Sequence, residues 1–399
     1  MRRPFIICLA LLLAVSLATA ADWPQFRGPQ RDGVSRETGL LPEWPADGPA
    51  ELWTVELGGG YSGIAVSDGR LFTMFSAGGD EFVVALEVAS GKELWRVRAG
   101  DKFKDMFGDG PRSTPTVDGE RVYALGAKGK LLALSAADGK QLWSHDLVEA
   151  YGAESPKWGF AASPIVDGDL LLLDVGGSDG GSIVAFDKKS GAERWRSQDD
   201  TASYSAPIII EVGGQRQAVF FTATRIVSVD PADGKLLWKK TWKTAYDVNA
   251  ATPVFIPPDR LFISSGYDVG GAVYKVGATG VEELWRNREM KNKFHTSVLH
   301  DDHLYGFDEK IFKCIDAATG RMMWQARDFG HGSLIYADGH LLALGDKGLL
   351  GLVEANPEAY REKSRATVLK GKSWTPPTLA DGKLFVRDEK VLRSFNLKN

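Results

Sequence analysis

Nine side chains able to do recognition chemistry stand just before small-residue steps that recur along this chain, such as Ser113-Thr114-Pro115 and Ala162-Ser163-Pro164. Arg112 carries a guanidinium that can clamp a carboxylate or a phosphate. His295 and His331 bring imidazoles, and Asn249 an amide, each able to bond a polar group. Trp158 and Trp374 offer faces on which a planar ring or a sugar can stack, with Tyr61, Phe160 and Tyr204 beside them. If the steps open onto one mouth, these groups converge on a ligand pocket. The bland alternative is that they only fill a channel.

Other constellations are weaker. Asp247 and Asn249 could give oxygen ligands to a hard cation, but two residues do not complete a set. His300-Asp301-Asp302-His303 has metal-capable side chains at a position where the other repeats turn, so a solvated turn is expected. Asp101, Asp105 and Asp109 recur every fourth residue, which fits no calcium loop and marks one polar loop over the mouth. Met290-Lys291-Asn292-Lys293 reads as a solvated basic loop, and Cys314 as a buried, inert thiol. No phosphate-binding glycine loop, serine elbow or Cys/His zinc spacing is present, so no residue is assigned as catalytic.

The elements that must position these groups are strands. Trp recurs at 53, 95, 143, 195, 238, 285 and 324, about every 45 residues, a period of propeller blades. One unit runs from Thr116-Val117 through the Asp118-Gly119 turn, Arg121–Leu125, Leu131–Leu134, and the Asp138-Gly139 turn into Gln141-Leu142-Trp143. Eight such inner-strand starts can be counted, beginning at Ser62 and ending at Thr375. The last copy lacks an outer Trp strand, and Glu51-Leu52-Trp53 supplies one with nothing before it. The sequence therefore predicts an all-β, eight-bladed propeller of four-stranded antiparallel blades. The N-terminal strand should pair with the C-terminal blade and so remove the open sheet edges; seven blades is the alternative count. The repeat Trp residues are expected to be wedged between blades, each burying about 150–250 Å². Asn356-Pro357-Glu358 predicts a short helical turn, with an outer strand resuming near Thr367-Val368-Leu369.

The phrase Ala185-Phe186-Asp187-Lys188-Lys189-Ser190-Gly191-Ala192-Glu193-Arg194-Trp195 resembles the tryptophan-docking motif of the pyrroloquinoline quinone-like propeller family. That family includes quinoprotein dehydrogenases and outer-membrane assembly factors of the BamB type. Copies end at Trp95, Trp143, Trp238 and Trp324, and the copy ending at Trp285 carries one extra residue. The opening Asp22-Trp23-Pro24-Gln25-Phe26-Arg27-Gly28-Pro29 is similar to the start of many exported proteins of this class. The resemblance implies the fold strongly and the activity weakly. In its dehydrogenase branch it implies quinone held between a Trp and a disulfide of adjacent cysteines, with calcium on Glu, Asn and Asp and an Asp as base. This chain has no adjacent cysteines.

Residues 1–20 read as a secretory signal: a basic start at Arg2-Arg3, an apolar stretch from Phe5 to Leu17, and small residues at Ala18-Thr19-Ala20. Residues 21–49 are expected to brace the outside of the ring, and 50–399 to form the propeller. With 46 basic and 52 acidic residues once Arg2 and Arg3 are gone, the net charge of −6 disfavours nucleic acid. Loss of Cys8 with the signal leaves Cys314 alone, so no internal disulfide is expected. The expected protein is periplasmic or secreted, monomeric, without a transmembrane span in its mature form, and without cofactor. It binds a protein, peptide or saccharide at the mouth; a dehydrogenase using pyrroloquinoline quinone and calcium is the alternative.

Overall fold

The structure, a computed structural model, describes residues 21–398; the proposed signal lies outside the described residues. Eight four-stranded antiparallel sheets follow one another around a ring. The first blade holds Ala65–Ser67, Arg70–Ala77, Asp80–Glu87 and Glu93–Asp101, and its successors repeat the order inner strand to outer strand. Closure is as the sequence predicted. Ala50–Glu56 pairs with Val391–Asn396, placing Trp53 opposite Ser394 and Val55 opposite Leu392.

What holds one blade to the next is the indole of the outer strand. Trp53 donates its Nε1–H to the Val88 carbonyl at 3.0 Å, and Trp95 donates to Ala136 at 3.1 Å. Trp143, Trp195, Trp285 and Trp324 reach Lys188, Pro231, Ala317 and Asn356 in the same way. The ring then lies on the glycine of the next blade's turn. A Cβ on Gly91 would stand 2.8 Å from Trp53, and one on Gly191 2.7 Å from Trp143. Both glycines also have φ near +70°, so two constraints fix the residue.

Three seams depart from this pattern. The turn facing Trp324, Asn356-Pro357-Glu358, has no glycine, and Tyr360 packs against the indole with ring centres 5.5 Å apart. The other two are repaired differently. Next to Trp238, the turn of the following blade carries the extra residue, and a Cβ on its Gly280 would meet nothing within 4 Å. There the buried Gln217 relays the contact. Its Oε1 accepts from Trp238 at 2.7 Å and from the Ser228 hydroxyl at 2.9 Å, while its Nε2 donates to the Gly277 carbonyl at 3.1 Å. In the seventh blade Ser364 stands opposite Leu352 where the other outer strands carry Trp. Trp44 of the N-terminal segment packs there instead: it is 6% exposed, and its backbone N–H donates to the Ser364 hydroxyl at 2.7 Å.

The structure corrects three expectations. No helical turn forms at Asn356-Pro357; the residues bend, with the Asn356 side chain accepting the Glu358 N–H, and the outer strand is Glu362–Thr367. A short helix instead covers Leu147–Tyr151, capped by Asp146, whose carboxylate accepts the N–H groups of Val148 and Glu149. Most consequentially, the segment before residue 50 does not simply brace the outside. Trp23 bridges to Val66 on an inner strand, and Arg27 and Arg31 lie buried among inner strands before the chain passes Tyr336 and runs out across Ser364 and Leu397.

Replacing Gln217 with Leu should leave the Trp238 N–H and the Gly277 carbonyl without partners and lower stability by about 1–3 kcal/mol, seen as a lower denaturant midpoint. Trp44→Ala should cost about 3–5 kcal/mol in the same measurement, although Trp44 lies outside every blade. A loss for Trp44→Ala no larger than that of an exposed residue would remove it from the seventh seam.

Candidate functional site

Small hydroxyls at the inner-strand entrances hold the mouth together. The Gly63 N–H donates to Thr114 Oγ1 at 3.1 Å, the Thr114 N–H to Ser163 Oγ at 2.9 Å, and the Thr252 N–H to Thr296 Oγ1 at 2.8 Å. Ser205 donates to the Ala251 carbonyl at 3.0 Å and Thr378 to that of Ile64 at 2.9 Å. Neighbouring entrances are thus bonded side by side.

The floor comes from the N-terminal segment. Arg31 donates to the carbonyls of Ser163, Pro164 and Pro207, and Arg27 to those of Thr296 at 3.1 Å and Ser297 at 2.9 Å. Burial pushes their guanidinium pKa values down to about 9 and about 10, so both remain cationic at neutral pH. Backbone carbonyls replace the lost hydration. Phe26 projects from this plug into the space above it.

That space is a cavity of about 390 Å³. Of the nine side chains singled out from sequence, seven line it: Tyr61, Arg112, Trp158, Tyr204, His295, His331 and Trp374. Asn249 does not. Its amide is wholly buried, donating to the carbonyls of Thr222 and Ala223 and accepting from Ser265, which makes it a fastener of its blade. Phe160 is likewise buried, in the core beneath Gly129. The register of one or two residues separates these two from the wall.

Two aromatic groups face the cavity. Trp374 stacks on Phe294 with ring centres 4.9 Å apart and lies 5.2 Å from Tyr61. Trp158 contacts Tyr204 at 5.9 Å and Phe107 at 6.3 Å. Arg112 is less free than the sequence suggests: it donates to the carbonyls of Gly108 and Gly110 and so holds the 105–110 loop over the mouth. The Tyr61 hydroxyl is also committed, to the Phe107 carbonyl and to Glu389 at 2.8 Å, and burial together with Glu389 pushes its pKa up. Arg387, missed in the sequence, is buried between the eighth and first blades and donates to Met74 at 2.7 Å and Gly58 at 3.0 Å, fixing the backbone before Tyr61.

Sequence reasoning also missed Phe26, Phe107, Tyr267, Lys293 and Phe294, which lie off the repeated step. The stretch 290–293 is no solvated loop. Met290 and Asn292 are buried, and Lys293 reaches the cavity. His300–His303 does form a turn, with Asp301 and Asp302 at positive φ. Asp105 lines the cavity from its polar loop, its carboxylate accepting the Phe107 N–H at 2.8 Å.

The quinone and calcium of the dehydrogenase branch do not fit these residues. Asp105 is the one carboxylate among the described lining residues, and Asn249 is spent on backbone carbonyls. Cys314 sits buried in a blade, where burial pushes its thiol pKa up to about 12. The axis is filled by Phe26 above two guanidiniums.

His295 provides a pH test. Burial, with His331 and Arg27 nearby, lowers its pKa to about 3 from an ordinary 6.5. The unfolded chain therefore binds the proton more readily, so His295 costs nothing above pH 6.5 and erodes stability as pH falls from there toward 3. His295→Leu should flatten that acid loss, read as the change in unfolding midpoint between pH 7 and pH 5. An unchanged pH slope would show that the imidazole is solvated.

The comparisons with known proteins agree with this architecture. The family model described as outer membrane protein assembly factor BamB matches residues 45–178 and 153–326. The assembly factor BamB of Burkholderia pseudomallei is 26% identical over 275 residues, covering 65% of this chain and 64% of that protein, just under two thirds of its length. Quinohemoprotein alcohol dehydrogenase ADH IIB of Pseudomonas putida is 30% identical over 135 residues, 32% of this chain and 19% of that one. The solved structure of BamB from Moraxella catarrhalis superposes with a TM-score of 0.65 at 16% identity, covering 87% of this chain and 99% of that one, a likeness of fold. With a family match across most of its blades, the chain belongs to the BamB-type family of pyrroloquinoline quinone-like β-propellers.

Proposed function

We propose that this chain is an exported, non-catalytic propeller that captures a protein, peptide or saccharide partner of the cell envelope at its mouth. The observation that carries the reading is the blind aromatic cavity. All eight blade entrances contribute to it, the fifth through Val248 and Ala250, while Arg27, Arg31 and Phe26 close the channel beneath. A channel that merely needed filling is already filled by the plug, so the open walls above are available to a ligand. Relatives matched over most of the chain carry the name of assembly factors, and the dehydrogenase match spans a third of it. That weighting supports binding over turnover. No helix among the described residues is long and apolar enough to cross a membrane.

Trp158 and Trp374 are the expected anchors. Each fills the wall without fastening a seam, so truncation should spare the ring. Truncating a buried aromatic anchor costs about 2 kcal/mol or more of binding. Trp158→Ala and Trp374→Ala should each weaken capture of a partner from a cell-envelope extract by roughly 30-fold or more, with a melting temperature close to that of the parent. Capture unchanged in both variants would place the partner elsewhere on the ring.

A further inference from the structure

The mouth reading above says where a partner binds; the chemistry around the cavity says which kind. Four cations surround it, each over an aromatic face: Arg112 4.6 Å from the Phe103 ring centre, Lys157 4.9 Å from Trp158, Lys293 4.7 Å from Tyr267, and Lys372 4.8 Å from Trp374. None has a carboxylate within ion-pair distance among the described residues, whereas cations on the outer strands do, as in Arg286–Glu283 and Arg194–Asp187. Arg112 and Lys372 spend donors on loop carbonyls. Lys157 and Lys293 donate to no described residue.

These two ammonium groups flank one aromatic ridge. Trp158 contacts Tyr246 at 6.5 Å, and Tyr246 contacts Tyr267 at 5.8 Å; Lys157 lies over the first pair and Lys293 over Tyr267 and Phe294. Of the nearby carboxylates, Glu389 is engaged by the Tyr61 hydroxyl, Asp105 by the Phe107 N–H and Glu309 by the Tyr267 N–H, while Asp247, beside Tyr246, stays exposed and is paired with neither ammonium. Apolar side chains are exposed on the same rim: Met106 at 89%, Tyr246 at 66% and Phe107 at 45%. By contrast, exposed Leu52, Leu94, Leu142 and Leu284 stand one per blade on outer strands, immediately before the repeat Trp.

We infer that the mouth selects an acidic peptide segment, one that sinks a single apolar side chain into the cavity while flanking carboxylates meet Lys157 and Lys293. This rests on the mouth-binding reading. A blind cavity of about 390 Å³ admits a side chain and stops a chain from threading through. A saccharide suits it less well. A sugar ring brings several hydroxyls that each need a partner when buried, and here Tyr61, Arg112 and the Tyr204 hydroxyl, which accepts from the Trp158 backbone N–H, are already bonded, leaving only His295, His331 and Lys293 among the polar lining side chains described above. An apolar group asks for nothing that the aromatic wall lacks.

The test uses fluorescently labelled synthetic decapeptides and the mature chain, with anisotropy as the readout. One peptide places Phe between two Glu-Glu pairs; two controls replace every Glu with Gln or the Phe with Ser, and alginate oligosaccharide serves as an acidic sugar. The Glu/Phe peptide should bind saturably and weaken with added salt. The Gln control, the Ser control and Lys157→Gln/Lys293→Gln should each lose about tenfold, the loss expected of two partly exposed charge pairs or one anchor. Trp374→Ala should abolish the remaining binding. Equal binding of the Gln control, competition by alginate at equal affinity, or no saturable binding of the Glu/Phe peptide overturns the acidic selection. If the Gln control binds and Trp374→Ala removes it, the mouth reading stands without its charge preference. If the Glu/Phe peptide binds with no sensitivity to Trp158→Ala or Trp374→Ala, the mouth reading itself falls.

Discussion

The ring depends on one contact made again and again: an indole N–H donated to the carbonyl of the next blade's turn, with the ring lying on a glycine that has no room for a side chain. An open array of eight sheets would leave its first and last edges unpaired and its flat faces half covered. Each indole joins a polar bond to a large apolar area at the same seam, so the blade angle is set by a fixed length as well as by packing. The exceptions show how strict the requirement is. Where an added turn residue moves the glycine away, a buried Gln217 spans the gap to the Gly277 carbonyl of that turn. Where the seventh blade has no Trp, the N-terminal segment brings one.

That segment therefore has two structural tasks. Its later part closes the seventh seam with Trp44, and its earlier part plugs the channel with Arg27 and Arg31, whose guanidiniums are held by carbonyls of the inner strands, with the Asp32 charge near Arg27. The cavity at the mouth is consequently composite, with walls from the blades and a floor from residues that precede them.

Much of the ring was legible because its signals are local. The Asp-Gly and Ser-Gly turns, the alternation of strands and the Trp spacing each declare themselves within a dozen residues, and the lone outer strand at Trp53 could be matched to the incomplete last copy by counting. The mouth was legible to within a residue or two, since the Ser/Thr steps mark each entrance; that margin is what put Asn249 and Phe160 on the wrong side of the wall. Phe107, Tyr267 and Phe294 escaped because they belong to loops outside the repeated step, where no period points to the axis. The plug escaped for a deeper reason. Residues 22–35 have no internal pattern, and nothing in a single Arg-rich turn says that five carbonyls from distant blades will gather around it.

The repeat tryptophans fasten seams whereas Trp158 and Trp374 line the mouth cavity, and exchange of their indole hydrogens with solvent tests that division most directly. In nitrogen-15-labelled mature protein, the indoles of Trp53, Trp95, Trp143, Trp195, Trp238, Trp285 and Trp324 should exchange slowly, each being bonded at a seam. Those of Trp158 and Trp374, which bond to no described residue, should exchange fast. Fast exchange across the seven seams, or equal protection of Trp158 and Trp374, would contradict the account.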